Sequence, residues 1–193
     1  MVSRMKKILP IIIGAAFIGV GALLLISIIR SQATSVTDQV QANQYSSQLK
    51  AKPNIIEGQP SQLIIPSLGM NLPIIPGYYD KQTKTWTLTL SEVQYATVTP
   101  PPNNQSGNTF LYGHYRPEVF ARLHTIGANA QAIVKTNNNH TFYYVLNNIR
   151  TTSPDDDSVF AVYKGSPILT IQTCTGIFFQ NRQFFTFNLE HAS

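Results

Sequence analysis

Cys174 is the one cysteine of the chain, so no disulfide can close within it and its thiol is a buried inert group, an intermolecular pairing site or a nucleophile. The surrounding residues favour a nucleophile. The thiol closes the run Ile168-Leu-Thr-Ile-Gln-Thr-Cys174, which Pro167 precedes. In a strand, side chains alternate between two faces, so Ile168, Thr170, Gln172 and Cys174 share one and Leu169, Ile171 and Thr173 the other. A thiol packed as a small hydrophobe belongs on the apolar face. Cys174 instead falls on the more polar face, at a strand end, where a thiol is accessible. Residues 175–181 separate it from Arg182, which opens a second run at 183–189. Antiparallel pairing of the two runs sets the end of the first against the start of the second, which brings Arg182 beside Cys174. A guanidinium there stabilises a thiolate or donates to the oxyanion of a tetrahedral intermediate. Among the four histidines, His114 stands out because it follows the run 109–112 through Gly113, a residue that permits close backbone approach at a strand end. His124 falls in a helical turn, His140 in the polar tip Asn137-Asn-Asn-His140 and His191 in the tail. Cys174, His114 and Arg182 together supply a nucleophile, an acid or base, and an oxyanion donor.

The elements that must hold these residues are short β-branched and aromatic runs separated by turn residues. Candidate strands cover 62–65, 72–75, 86–90, 109–112, 131–136, 141–149, 168–174 and 183–189. Prolines 66, 73, 76, 100–102, 154 and 167 are expected mostly to bracket them, because proline cannot donate to a ladder. Eight such runs predict a mainly β domain over residues 56–193, a closed or nearly closed β-barrel with short helices. One or two helical turns fit 117–125, where Val119, Phe120 and Leu123 recur at helical spacing.

Before this domain, residues 8–29 run 22 positions without a charge. As a helix they are about 33 Å long, which matches a hydrocarbon core of roughly 30 Å. Arg4, Lys6 and Lys7 precede the run, so the positive-inside bias predicts a cytoplasmic N-terminus at 1–7, a single transmembrane anchor at 8–29 and everything after it outside the cell membrane. The run is longer than the h-region of a cleaved signal peptide. Residues 30–55, rich in Ser, Thr, Gln and Asn, read as a flexible extracellular tether. The charge of the chain has the same origin. Of 14 basic residues against 9 acidic ones, Arg4, Lys6, Lys7 and Arg30 lie in the first 30 positions with no acid among them. The remainder is near neutrality and has no basic stripe interleaved with aromatics, which excludes nucleic acid as the expected partner.

The chain resembles the sortases, the cysteine transpeptidases of Gram-positive cell surfaces. The resemblance rests on the anchor and tether followed by Leu63-Ile-Ile-Pro-Ser-Leu-Gly69, Leu72-Pro-Ile-Ile-Pro-Gly77, Asn108-Thr-Phe-Leu-Tyr-Gly-His114, Val119-Phe-Ala-Arg-Leu123 and Thr170-Ile-Gln-Thr-Cys174, with Arg182 after them. Ile171 stands where the family's Thr-Leu-x-Thr-Cys signature has Leu, and Gly-His-Tyr replaces the commoner Gly-His-Arg. What the resemblance implies is the closed eight-stranded sortase barrel, with Cys174 as nucleophile, His114 as general acid and base, Arg182 holding the substrate carbonyl or oxyanion, and Thr173 among the substrate-binding residues. It implies cleavage of a Leu-Pro-x-Thr-Gly-like sorting signal of secreted surface proteins through a thioacyl enzyme. An amine, from a peptidoglycan precursor of the cell wall or a pilin lysine, then resolves the thioester.

Residues 31–60 lack an Asp-Pro-aromatic lid motif and no second spanning run follows, so a single-span class resembling A, D, E or F is expected over a pilus-assembling class C. The run Asp155-Asp-Asp157 lacks the alternating ligand spacing of a calcium loop and reads as a solvated acidic turn. No metal and no cofactor is expected. The contrasting reading is a catalytically inert relative or an anchored β-domain that binds a surface polymer or protein. It leaves unexplained an unpaired extracellular cysteine between Thr-Gln-Thr and a hairpin arginine.

Overall fold

The computed structural model describes residues 54–83 and 85–193. The expected N-terminal segment 1–7, the anchor 8–29 and nearly all of the tether lie outside the described residues. No helix among the described residues is long and apolar enough to cross a membrane.

The described residues form ten strands: β1 (Pro60–Ile65), β2 (Met70–Gly77), β3 (Tyr79–Asp80), β4 (Thr85–Trp86), β5 (Val93–Ala96), β6 (Asn108–Tyr112), β7 (Gln131–Thr136), β8 (Thr141–Thr152), β9 (Ile168–Thr175) and β10 (Asn181–Ala192). Eight of them close a barrel in the order β1-β2-β5-β6-β9-β10-β8-β7, while β3 and β4 pair separately. The expected mainly β, closed eight-stranded barrel is the observed fold. Neighbours run antiparallel except for the parallel pairs β2·β5 and β6·β9.

One expected strand is corrected. In 86–90 only Trp86 belongs to a strand, pairing with Tyr79 outside the barrel, and Leu88 and Leu90 are exposed. The alternation of Trp-Thr-Leu-Thr-Leu therefore does not mark a buried face. The barrel strand of this region is β5, Val-Gln-Tyr-Ala, buried at all four positions; burial on both faces removes the period-two signal. Gln94 is buried within it and is satisfied from the misread segment. Its Oε1 accepts the Thr89 N–H at 3.0 Å and its Nε2 donates to the Thr87 hydroxyl at 3.0 Å. The prolines depart from expectation too, since Pro73 and Pro76 sit inside β2, in register with Gln62 and Tyr95.

Alternation along the strands fills the barrel with Leu63, Met70, Val134, Phe142, Tyr144, Leu169, Ile171, Phe185 and Phe187. Val119, Phe120 and Leu123, all fully buried, join this core from the segment ending in the 3-10 helix Ala121–Thr125. That apolar spacing is the one the sequence shows. Each such large side chain contributes roughly 1.5–3 kcal/mol by leaving water. Strand β6 is buried on both faces. Leu111 faces the barrel core, whereas Phe110 and Tyr112 join a second cluster with Ala96, Val159 and Phe184. This second cluster lies beneath the site. The ladder registers put the start of β1 at the barrel end where β7 meets β8, opposite the ends of β6 and β9 that carry His114 and Cys174.

Candidate active site

The parallel ladder of β6 on β9 sets Tyr112 beside Gln172, and the two chains leave the ladder together. Gly113 is fixed on both of its backbone groups: its N–H donates to the Gln172 carbonyl at 3.2 Å, and its carbonyl accepts the Thr173 hydroxyl at 3.1 Å. A Cβ at position 113 would stand 2.9 Å from Val119 and 3.0 Å from the Phe120 ring, so the close packing of the apolar plug favours glycine there. The His114 carbonyl then accepts the N–H groups of Arg116 at 3.0 Å and Phe120 at 3.2 Å. Its backbone is tied to β9 before it and to the plug after it. Thr173, expected among the substrate-binding residues, is 1% exposed. Its hydroxyl is committed to Gly113, and it ties the cysteine strand to the histidine segment instead of lining the cavity.

Cys174 and Arg182 are direct partners across the antiparallel β9·β10 ladder, so their side chains share a face. The thiol is free and half-buried. Arg182 Nη1 donates to the carbonyls of Phe179 and Asn181, each at 3.2 Å, which leaves Nε and Nη2 for another acceptor. The intervening turn is strained. Gly176 has φ 88°, and Phe178 and Phe179 have φ 63° and 58°, a left-handed conformation that costs a residue with a Cβ roughly 1–2 kcal/mol.

His114, Cys174 and Arg182 all border one cavity of about 460 Å³. Its wall is aromatic, and sequence reasoning did not single it out. Trp86 stacks on Phe160 at 5.2 Å between ring centroids and 13° between planes, and meets Tyr112 edge-on at 5.4 Å. Phe110 meets Phe160 edge-on at 5.2 Å. The one available signal was that Trp86 is the chain's single tryptophan. Its partner Phe160 comes from the β8–β9 loop, too far along the chain for any local pattern to connect them. The Tyr112 hydroxyl donates to the Thr87 carbonyl at 2.9 Å, and burial raises its pKa, so it stays a neutral donor.

The acidic turn Asp155–Asp157 also borders the cavity. Asp156 has a structural role there: Arg150 pairs with it at 3.3 Å and donates to the Ser158 hydroxyl at 2.9 Å, while the guanidinium lies 4.7 Å over the Phe184 ring. Hydrogen bonds from Ser158, with Arg150 nearby, hold the Asp156 carboxyl below the usual carboxylate range. Among the described residues no group of His, Cys, Asp and Glu is arranged to hold a metal ion.

The barrel thus brings Cys174 and Arg182 together on adjacent strands, with His114 just past the end of β6, at the border of one cavity. The family model described as Sortase domain matches residues 63–186. The chain belongs to the sortase family, whose members are transpeptidases. Solved structures agree on the fold. Sortase E1 from Streptomyces coelicolor, solved with a tripeptide in its active site, is 24% identical with a TM-score of 0.58 over 70% of this chain and 90% of that one. Sortase C-1 from Actinomyces oris gives 24%, 0.57, 68% and 73%, and sortase A of Listeria monocytogenes 18%, 0.56, 69% and 88%. No curated protein matches the chain.

Proposed function

We propose that this chain is a membrane-anchored cysteine transpeptidase that cleaves a Leu-Pro-x-Thr-Gly-like sorting signal of secreted proteins and passes the acyl group to an amine. The observation that carries the reading is the direct pairing of Cys174 with Arg182 across β9·β10, with His114 on the same cavity. In this mechanism the Cys174 sulfur attacks the carbonyl of the scissile Thr–Gly bond while Arg182 donates to the developing oxyanion. His114 delivers a proton to the departing glycine amine, and the acyl group remains on sulfur as a thioester. An incoming amine, from a peptidoglycan precursor or a pilin lysine, attacks the thioester and the thiol is regenerated. The thioester retains the acyl energy between the two halves, so the reaction needs no nucleotide outside the cell.

The aromatic wall supports this reading as the receptor for the apolar part of a peptide, because wide rigid rings bury peptide side chains at low entropic cost. The tripeptide in the active site of the Streptomyces coelicolor neighbour points to the same kind of occupant. The uncharged run 8–29 and the basic residues before it support a single span with the barrel outside. Protease applied to wall-stripped cells is expected to release a fragment starting within 31–55; protection until the membrane is breached would reverse the orientation. The sorting signal is read by incubating the purified chain with a library of sorting peptides and weighing the protein. One adduct mass names the motif, and no adduct with any member removes the proposed activity.

A further inference from the structure

The turn that joins Cys174 to Arg182 is held against the histidine segment by one aromatic contact. The Phe179 ring lies 5.7 Å from the ring of Tyr115, the residue after His114, with the planes tilted by 45°. Tyr115 also meets His124, ring to ring at 6.2 Å and hydroxyl to Nδ1 at 3.4 Å. His124 belongs to the 3-10 helix that plugs the barrel. Phe179 therefore joins two parts of the site. Its ring rests on the residue after the histidine, and its carbonyl accepts the guanidinium of Arg182 at 3.2 Å.

Neither ion pair found among the described residues includes Arg182. Its protein partners there are the backbone carbonyls of Phe179 and Asn181, so the turn decides where the guanidinium points. The turn does not hold its shape by backbone preference, since Phe178 and Phe179 both adopt left-handed φ, which residues with a Cβ disfavour. Of its three consecutive apolar residues, Ile177 and Phe178 are 75% and 93% exposed, and Phe179 falls to 53%. Among these three, Phe179 is the one in aromatic contact with Tyr115.

We propose that Tyr115 is a positioning residue which, through the Phe179 ring, fixes the Arg182 guanidinium beside Cys174, its partner across the β9·β10 ladder. The contribution to turnover rests on the proposed function, in which Arg182 meets the substrate oxyanion; the geometry itself does not. The readout is the ratio of Cys174 alkylation rates with iodoacetate and iodoacetamide, measured on the full chain. A guanidinium aimed at the thiol draws the anionic reagent and is indifferent to the neutral one.

Tyr115→Ala and Phe179→Ala are each expected to lower this ratio about two- to fivefold, the range of a solvent-accessible ion pair, and to leave the iodoacetamide rate within about twofold. Tyr115→Phe keeps the ring and should keep the ratio. In an Arg182→Ala background, Tyr115→Ala should change nothing further. An unchanged ratio in Tyr115→Ala, or an equal fall with and without Arg182, overturns the proposal. If Tyr115→Ala does not fold, Phe179→Ala decides, because truncating that half-exposed ring removes little buried volume. With an accepted peptide, the two alanine variants should lower the acylation rate constant about tenfold with KM nearly unchanged. Alkylation needs no peptide, so failure to acylate removes the proposed function while the ratio still judges the clasp.

Discussion

Replacing Thr173 with valine keeps the β-branched shape and removes the one hydroxyl that joins the cysteine strand to the histidine segment. The donor is 1% exposed and the bond to Gly113 is 3.1 Å long, so the carbonyl it leaves behind has no ready access to water. The expected loss of stability is about 1–3 kcal/mol. For a domain of this size each kcal/mol lowers Tm by roughly 3–4 °C, and a typical domain survives the loss. The kinetic effect is larger than this implies, because freeing the Gly113 carbonyl loosens the approach of His114 to Cys174. A misplacement of about 1 Å costs up to ~10²-fold in rate. Thioester formation followed by rapid acid quench and mass spectrometry should show the acylation rate constant down about 10- to 100-fold, with KM little changed. Thr173→Ser keeps the hydroxyl and should be near the parent in both respects. A Thr173→Val protein that raises KM and acylates at the parental rate would return Thr173 to a substrate contact and refute the positioning argument.

Arg182→Lys keeps the charge and loses the planar fork, and acylation should fall by on the order of 10²-fold; near-parental activity reduces Arg182 to a surface charge. His114→Ala is expected to be nearly inactive in the same assay, while His140→Ala and His191→Ala, at a hairpin tip and in the tail, retain most activity. Because Asp156 titrates below the usual carboxylate range, its contribution is complete at neutral pH and is lost as pH falls through that lowered value. Proteolysis of the 153–160 loop by an acid-active protease should accelerate over this window. Asp156→Asn should cleave fast at every pH, and an unaltered pH profile in that variant would separate the loop from its pairing with Arg150.

The parts of the molecule legible from sequence are those that depend on local alternation. Strand β9 declares its two faces in Ile-Leu-Thr-Ile-Gln-Thr-Cys, and the placement of Arg182 opposite Cys174 follows from an antiparallel hairpin with no further information. Strand β5 was not legible, because Val93, Gln94, Tyr95 and Ala96 are all buried and carry no alternation. Its neighbour 86–90 alternates convincingly with leucines that end in solvent. The cavity wall was hidden for a different reason: Trp86, Phe110 and Phe160 are brought together by three separate stretches of chain. The Gly113–Thr173 bond likewise needs the parallel crossover between β6 and β9, which no short-range pattern encodes.

The claim that Cys174 carries the acyl group is tested most directly by locating that group. The full chain is mixed with an excess of an accepted sorting peptide, quenched in acid within one turnover, digested with trypsin and mapped by mass spectrometry. The added mass is expected on the fragment 165–182, removable by hydroxylamine as a thioester must be, and absent from Cys174→Ala. An acyl group on any other fragment, or cleavage of the peptide by Cys174→Ala, would contradict it.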